Sequence, residues 1–196
     1  MRLRYATALL LLVMAGCAVA PSLPPAAPGA AETRRAALQA REAWQIAGRV
    51  AVVAQGEGAS ASLDWRQAGA ASDLTLRGPL GSGTLRVFLS GDEVLIEDGE
   101  ARLVGEDARM LLRARLGAEV PVRQLRYWVL GVPAPDSPFV EASGPGGLPA
   151  ALDQDGWRIE FDRYRTVGDD LLPARVDLQQ GTSRVKLSLS RWEFGP

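Results

Sequence analysis

The 196-residue chain has no histidine, a single cysteine at position 17 and a single lysine, Lys186. Without imidazole, Ser-His-Asp and Cys-His nucleophile systems, His-ligated zinc and haem are all excluded. A lone thiol cannot build a disulfide framework, so a folded domain must hold itself together by burial. No GxxxxGK[ST] run occurs, which leaves ATP-driven work without a phosphate-cradling loop. Long basic blocks are missing too. The formal net charge is −1, and without Arg2 and Arg4 the balance is 20 basic against 23 acidic residues, or −3. Nucleic acid is therefore a poor partner. The scarcity of lysine among the 22 basic residues reads as coding bias without functional content.

What is present starts at the N-terminus. Arg2 and Arg4 precede a short apolar run that ends Leu12-Val13-Met14-Ala15-Gly16-Cys17. A positive start, an apolar core and small residues before a cut site make a secretory signal peptide, too short to span a bilayer. The Ala-Gly-Cys ending resembles the lipobox of bacterial lipoproteins, with Met14 where leucine is commonest. That resemblance implies a diacylglyceryl and an N-acyl group on Cys17, no other cofactor, and a mature chain beginning at Cys17. The other reading is an ordinary signal peptide cut near Ala18-Val19-Ala20. One acyl chain gives marginal membrane residence, whereas two or more anchor a protein stably. The expected organisation is a signal peptide over 1–16, a lipidated cysteine with a Pro/Ala-rich tether over 17–31, and one folded domain over 32–196. Extended at about 3.1 Å per residue, the tether reaches about 40 Å.

A short amphipathic helix is predicted over Thr33 to Ala43, with Thr33 as its N-cap. From Trp44 the period changes to two, with Trp44, Ile46, Gly48, Val50 and Val52 sharing one face. Leu63 and Trp65, Leu74 and Leu76, Leu85 with Val87 and Leu89, and Val94 and Ile96 continue the alternation, which ends near Leu103. Gly56, Gly81-Ser82-Gly83 and Gly91-Asp92 stand at hairpin spacing, so the N-terminal half reads as an antiparallel meander. Asp107 to Leu116 and Val122 to Leu130 read as two helices, the first stopped by Gly117 and the second begun by Pro121 and closed by Gly131. A loop over Pro133 to Pro149 leads to Trp157, Ile159 and Phe161, then Leu172, Ala174, Val176 and Leu178, then Val185, Leu187 and Leu189. At Ser190 the phase slips, because Trp192 and Phe194 fall opposite Leu189, which predicts a bulge or a strand end. Nine to eleven strands and about three helices make a mainly β, α+β chain with a strongly curved antiparallel sheet and helices over one side.

Several motifs in fixed order resemble one family. They are Trp44-Gln-Ile-Ala-Gly48-Arg49, Leu63-Asp-Trp65, Gly78-Pro79-Leu80-Gly81, Leu125-Arg-Tyr127-Trp128-Val-Leu130-Gly131-Val-Pro133, Gln154-Asp-Gly156-Trp157, Leu172-Pro173 and Val185-Lys186-Leu187 with Trp192. The family is the outer-membrane lipoprotein receptor of the bacterial lipoprotein localisation pathway, LolB. The resemblance covers nearly the whole mature chain. It implies an unclosed half-barrel around an apolar cavity lidded by helices, monomeric and facing the periplasm. It also implies a role in accepting acylated lipoproteins from a soluble, LolA-like periplasmic carrier and setting them into the inner leaflet of the outer membrane. Alanine at position 18, where aspartate resembles an inner-membrane retention mark, agrees with that destination.

The cavity lining expected from the alternation is Ile46, Val50, Val52, Leu63, Trp65, Leu74 and Leu76, then Leu85, Val87, Val94 and Ile96, then Ile159, Phe161, Val176 and Leu187, with Trp128 and Leu130 from the lid. Each of these side chains would serve an ordinary core equally well. The case for a cavity is collective, because sheet residues outnumber the helical ones that could fill the space beneath them. Leu80 stands between glycines and a proline, where a polar turn is expected. An apolar tip there could enter the acyl region of a membrane; the bland alternative is a leucine folded onto the core. Alternation places Arg49 outward as a solvated residue. The paired acids Glu160 with Asp162 and Asp169 with Asp170 fit a solvated face and a turn better than a glycosidase pair. The rival class is an accessory lipoprotein subunit of an outer-membrane assembly machine, with a filled core.

Overall fold

The computed structural model of the chain describes residue 27 and residues 29–54, 56–79, 82–116 and 120–195, without the side chains of 108, 109, 115 and 116. Cys17, most of the tether and Leu80 lie outside the described residues.

Among the described residues, eleven strands form one antiparallel sheet: β1 (Ala43–Ala54), β2 (Glu57–Ala68), β3 (Ala71–Arg77), β4 (Thr84–Ser90), β5 (Glu93–Glu97), β6 (Arg102–Gly105), β7 (Phe139–Ser143), β8 (Pro149–Gln154), β9 (Trp157–Val167), β10 (Asp170–Gln180) and β11 (Ser183–Phe194). Their order is β6-β5-β4-β3-β2-β1-β11-β10-β9-β8-β7, so the first and last strands of the chain pair at the centre. β6 and β7 are unpaired edges, and the barrel is unclosed. Between these edges in sequence lie the helices α2 (Ala108–Leu116) and α3 (Val122–Trp128), while α1 (Ala30–Gln39) precedes the sheet. The half-barrel and its three helices thus match the mainly β architecture expected from the alternation and the family resemblance.

Strand alternation sets the two faces. Ile46, Val50, Leu63, Trp65, Leu74, Val87, Val94, Ile96, Val185 and Leu187 are buried, while the residues between them carry charges to the outer face. There Asp64 pairs with Arg77, and Arg86 lies 2.9 Å from Asp73. Arg49 is exposed, as alternation requires.

The phase slip at Ser190 is a bulge. Ala47 pairs with Arg191 and Gly48 with Leu189, which leaves Ser190 unmatched and returns Trp192 to the buried face. A Cβ on Gly48 would stand 2.2 Å from the Ser188 carbonyl oxygen, so only glycine fits opposite the bulge.

Three local expectations change. Helix α1 starts at Ala30, and Thr33 is not its cap; the Thr33 hydroxyl donates 3.0 Å back to the Gly29 carbonyl within the first turn. The helix ends at Gln39 because the strand pairing already begins at Ala43, whose carbonyl accepts from Gly195 N–H. Helix α3 ends at Trp128, two residues short of Leu130, and the chain reverses through Gly131 at φ 73° against the Pro173 ring. The expected loop over 133–149 contains β7, an edge strand whose Phe139 and Val140 are exposed, so burial leaves no alternation there to read.

Candidate functional site

The concave face of the sheet holds two adjoining hollows that share lining residues. The inner one is a wholly apolar void of about 50 Å³. Its walls are Val50, Val52, Leu63, Trp65, Leu74, Leu76, Val87, Val185 and Leu187 from the sheet, and Leu112, Val120, Val122 and Leu125 from the lid side. The outer one is a cleft of about 820 Å³ at the strand ends where the β1–β2 and β3–β4 connections turn. It is lined by Ala54, Ala59, Ala61, Leu85 and the residues Gly78, Pro79, Ser82 and Gly83 that flank the β3–β4 tip. Val50, Val52 and Leu76 line both hollows, which therefore share an apolar wall, while Glu57, Ser60, Thr84 and Asp98 add polar groups to the outer cleft.

The inner void is a small fraction of the outer cleft. It is small because the lid fills it: Leu112 on α2 is 2% exposed and Leu125 on α3 is 4% exposed. Polar ties hold α3 in place. The Arg126 guanidinium donates 3.0 Å to the Gly69 carbonyl in the β2–β3 turn, and Arg123 lies 3.8 Å from Asp92 in the β4–β5 turn. At the end of α3, the Trp128 indole N–H donates 2.7 Å to Gln154 Oε1 on β8. Gln154 is 3% exposed, and its oxygen also accepts from Ala134 N–H while its amide donates to the carbonyls of Ala134 and Ser137.

Away from the mouth, the interior ends in aromatic rings. Trp65 meets Trp44 edge to face at a centroid distance of 5.0 Å. Trp44 lies 5.7 Å from Trp192, and Trp192 lies 6.1 Å from Phe194, over which the Arg41 guanidinium sits at 4.0 Å. The helix before the sheet is fastened on the same side of the lid. Arg34 donates to the carbonyls of Leu130, Gly131 and Leu171, and Gln39 donates to that of Pro133. Burial lowers the Arg34 guanidinium pKa from its ordinary value, and burial also pushes up the phenol of Tyr164, which donates 2.6 Å to the Pro149 carbonyl.

The expected lining residues divide into two groups. Val50, Val52, Leu63, Trp65, Leu74, Leu76, Val87 and Leu187 surround the inner void, and Leu85 joins Val50, Val52 and Leu76 in the outer cleft. Ile46, Val94, Ile96, Trp128, Leu130, Ile159, Phe161 and Val176 are buried but line neither hollow; they are packed core. The cause is uneven cover. Trp128 packs on Trp157 and bonds Gln154 on β8, and Gly131 lies against Pro173 on β10, so that part of the concavity is filled. The lid residues Leu112, Val120, Val122 and Leu125 were not expected at the site, although the spacing of Val122 and Leu125 along α3 carries that signal.

The paired acids form no catalytic couple. Glu160 and Asp162 are exposed beside Arg158 and Arg175, and Asp170 is held 2.7 Å from Arg41. Among the described residues no cluster of metal-ligating side chains occurs, and no helix is long and apolar enough to cross a membrane.

Comparison with known proteins gives a family by sequence and a fold by structure. The family model described as outer membrane lipoprotein LolB matches residues 42–192. The outer-membrane lipoprotein LolB of Halorhodospira halophila is 37% identical over 151 residues, covering 76% of this chain and 74% of that protein. That of Stutzerimonas stutzeri is 34% identical over 189 residues, covering 94% and 92%. In fold, the chain is similar to a LolA superfamily protein from Nitrosomonas europaea, with a TM-score of 0.57 at 9% identity over 85% of this chain and 94% of that one. A DUF1329 family protein from Desulfovibrio piger gives a TM-score of 0.55, also at 9% identity, over 84% and 90%.

Proposed function

The chain belongs to the LolB family of outer membrane lipoproteins, and from that premise we propose that its hollow receives the acyl chains of other lipoproteins. Membership makes it a lipid-anchored outer-membrane protein and not an enzyme. In the proposed cycle a soluble, LolA-like carrier presents an acylated lipoprotein at the mouth. The acyl chains pass along Val50, Val52 and Leu76 into the interior, and the cargo then enters the inner leaflet of the outer membrane. The acyl anchor on Cys17 keeps the receptor facing the periplasm.

The observation that carries this reading is the apolar wall shared by the 820 Å³ cleft and the inner void. Burying a sixteen-carbon chain is worth about 12 kcal/mol at about 0.8 kcal/mol per methylene. Release into water is therefore closed on any useful timescale, and a relay between apolar sites avoids it. No nucleotide is needed if each successive site holds the chains more tightly. Reception requires the lid to yield, since Leu112, Val120, Val122 and Leu125 occupy the space an acyl chain would take. Leu80, at the tip between Gly78-Pro79 and Ser82-Gly83, is proposed to enter the acyl region of the membrane during delivery.

The rival reading, an accessory subunit with a filled core, draws support from the small inner void. One experiment separates them. Acylated cargo bound to a LolA-like carrier is mixed with the mature chain carrying Cys17→Ala, and the distribution of cargo is measured. Movement of cargo to this chain without nucleotide supports reception; cargo that stays wholly on the carrier contradicts it.

A further inference from the structure

We infer that Trp65, backed by Trp44 and Trp192, sets the longest acyl chain that the hollow accepts. The inference rests on the acyl-receptor reading and adds a specificity-determining residue to it. Along β2 the inward residues run Ala59, Ala61, Leu63 and Trp65, the first two lining the cleft and the last two the void. Past Trp65, neither hollow has a lining residue on β2, and the register partner of Trp65 on β1 is the packed Ile46. Six residues at about 3.4 Å each put Trp65 about 20 Å along the strand from Ala59. One leaflet of a bilayer with an apolar core of about 30 Å offers about 15 Å to an acyl chain. The wall from mouth to Trp65 is thus about 5 Å longer than that depth, enough to take an ordinary membrane acyl chain at full extension with its terminal methyl at the indole.

The two ends of this path differ in how they can yield. The lid presents the aliphatic side chains Leu112, Val122 and Leu125. The floor is a stack of rings: Trp65 on Trp44 at 5.0 Å, Trp44 on Trp192 at 5.7 Å, with Trp44 and Trp65 each 2% exposed. Close-packed aromatics at these separations leave no room for a further methylene. A chain too long for the path has to leave its excess at the mouth in water, where added methylenes no longer gain affinity.

The test uses the mature chain carrying Cys17→Ala and saturated fatty acids of about 12 to about 22 carbons, read by displacement of a fluorescent fatty acid. Affinity is expected to rise about fourfold per methylene up to about 16 to 18 carbons and then to level off. Trp65→Leu is expected to move that break to longer chains. A rise that continues unbroken to the longest acid, or a break that Trp65→Leu leaves unmoved, overturns the inference while leaving reception intact. If Trp65→Leu does not fold, Trp65→Phe, which keeps a ring but shortens it, takes its place, and an unmoved break there is equally fatal. Failure of every acid to bind removes the receptor reading and this inference with it.

Discussion

The indole N–H of Trp128 and the side-chain oxygen of Gln154 meet at 2.7 Å, tying the end of the lid helix to strand β8 across 26 positions of sequence. Gln154 also accepts from Ala134 N–H at 2.8 Å and donates to two carbonyls, so one buried amide satisfies four partners. Gln154→Leu leaves those partners unpaired in the interior. Each orphaned group costs about 1–3 kcal/mol, so a loss of at least about 3 kcal/mol is expected in urea unfolding. Trp128→Phe deletes one donor and also opens a cavity at a fully buried ring, so its loss mixes the hydrogen bond with packing. A Gln154→Leu loss below about 1 kcal/mol would show that the amide is not the hub.

Tyr164 predicts the alkaline limit of the fold. Burial raises its pKa above the ordinary value of about 10, so the folded state favours the neutral phenol. The sign follows directly: the contribution is fully present below about pH 10 and is lost as pH rises toward the folded pKa. Stability measured by chemical unfolding is expected to fall above about pH 10, and Tyr164→Phe is expected to reduce that slope. An unchanged slope in the variant would contradict the assignment. No histidine is present to add a transition near pH 6.5.

Leu112 couples the lid to the hollow. It is buried on α2 and lines the inner void, so Leu112→Ala enlarges that void at a cost of about 2–4 kcal/mol in stability. Binding of a fluorescent fatty acid is expected to become faster than in the parent chain even as the melting temperature drops. Slower or unchanged uptake would mean that α2 does not stand in the path.

Leu80→Glu separates delivery from reception. With the lipid anchor in place and vesicles as acceptor, the variant is expected to take cargo from the carrier normally and to pass it to the bilayer several-fold more slowly. Normal delivery would exclude a membrane role for the tip.

Much of the fold was legible because half-buried strands print their burial on the sequence at period two. The inward sets on β1 to β5 and β9 to β11 followed from alternation, and the slip between Leu189 and Trp192 announced the bulge at Ser190. Strand β7 was illegible for the converse reason: at a sheet edge its Val140 is 69% exposed, and Pro138 with Gly144 to Gly147 gives the surroundings the composition of a loop. The site was only half legible. Periodicity separates inward from outward but not lining from packing, so Val87 beside the void and Ile159 under the lid looked alike. What distinguishes them is where α2, α3 and the chain after Trp128 come to rest. That placement depends on long-range ties such as Arg126 to Gly69, which no local pattern encodes.

Whether an acyl chain lies along the concave face is decided most directly by photocrosslinking. A fatty acid with a diazirine at its terminal methyl is bound to the mature chain carrying Cys17→Ala, irradiated, and the modified peptides are identified. Labels are expected to concentrate at Leu63 to Trp65, Leu74 and Leu187, around the inner void. Labels confined to the outer face, or none above an unbound control, would contradict acyl reception by this hollow.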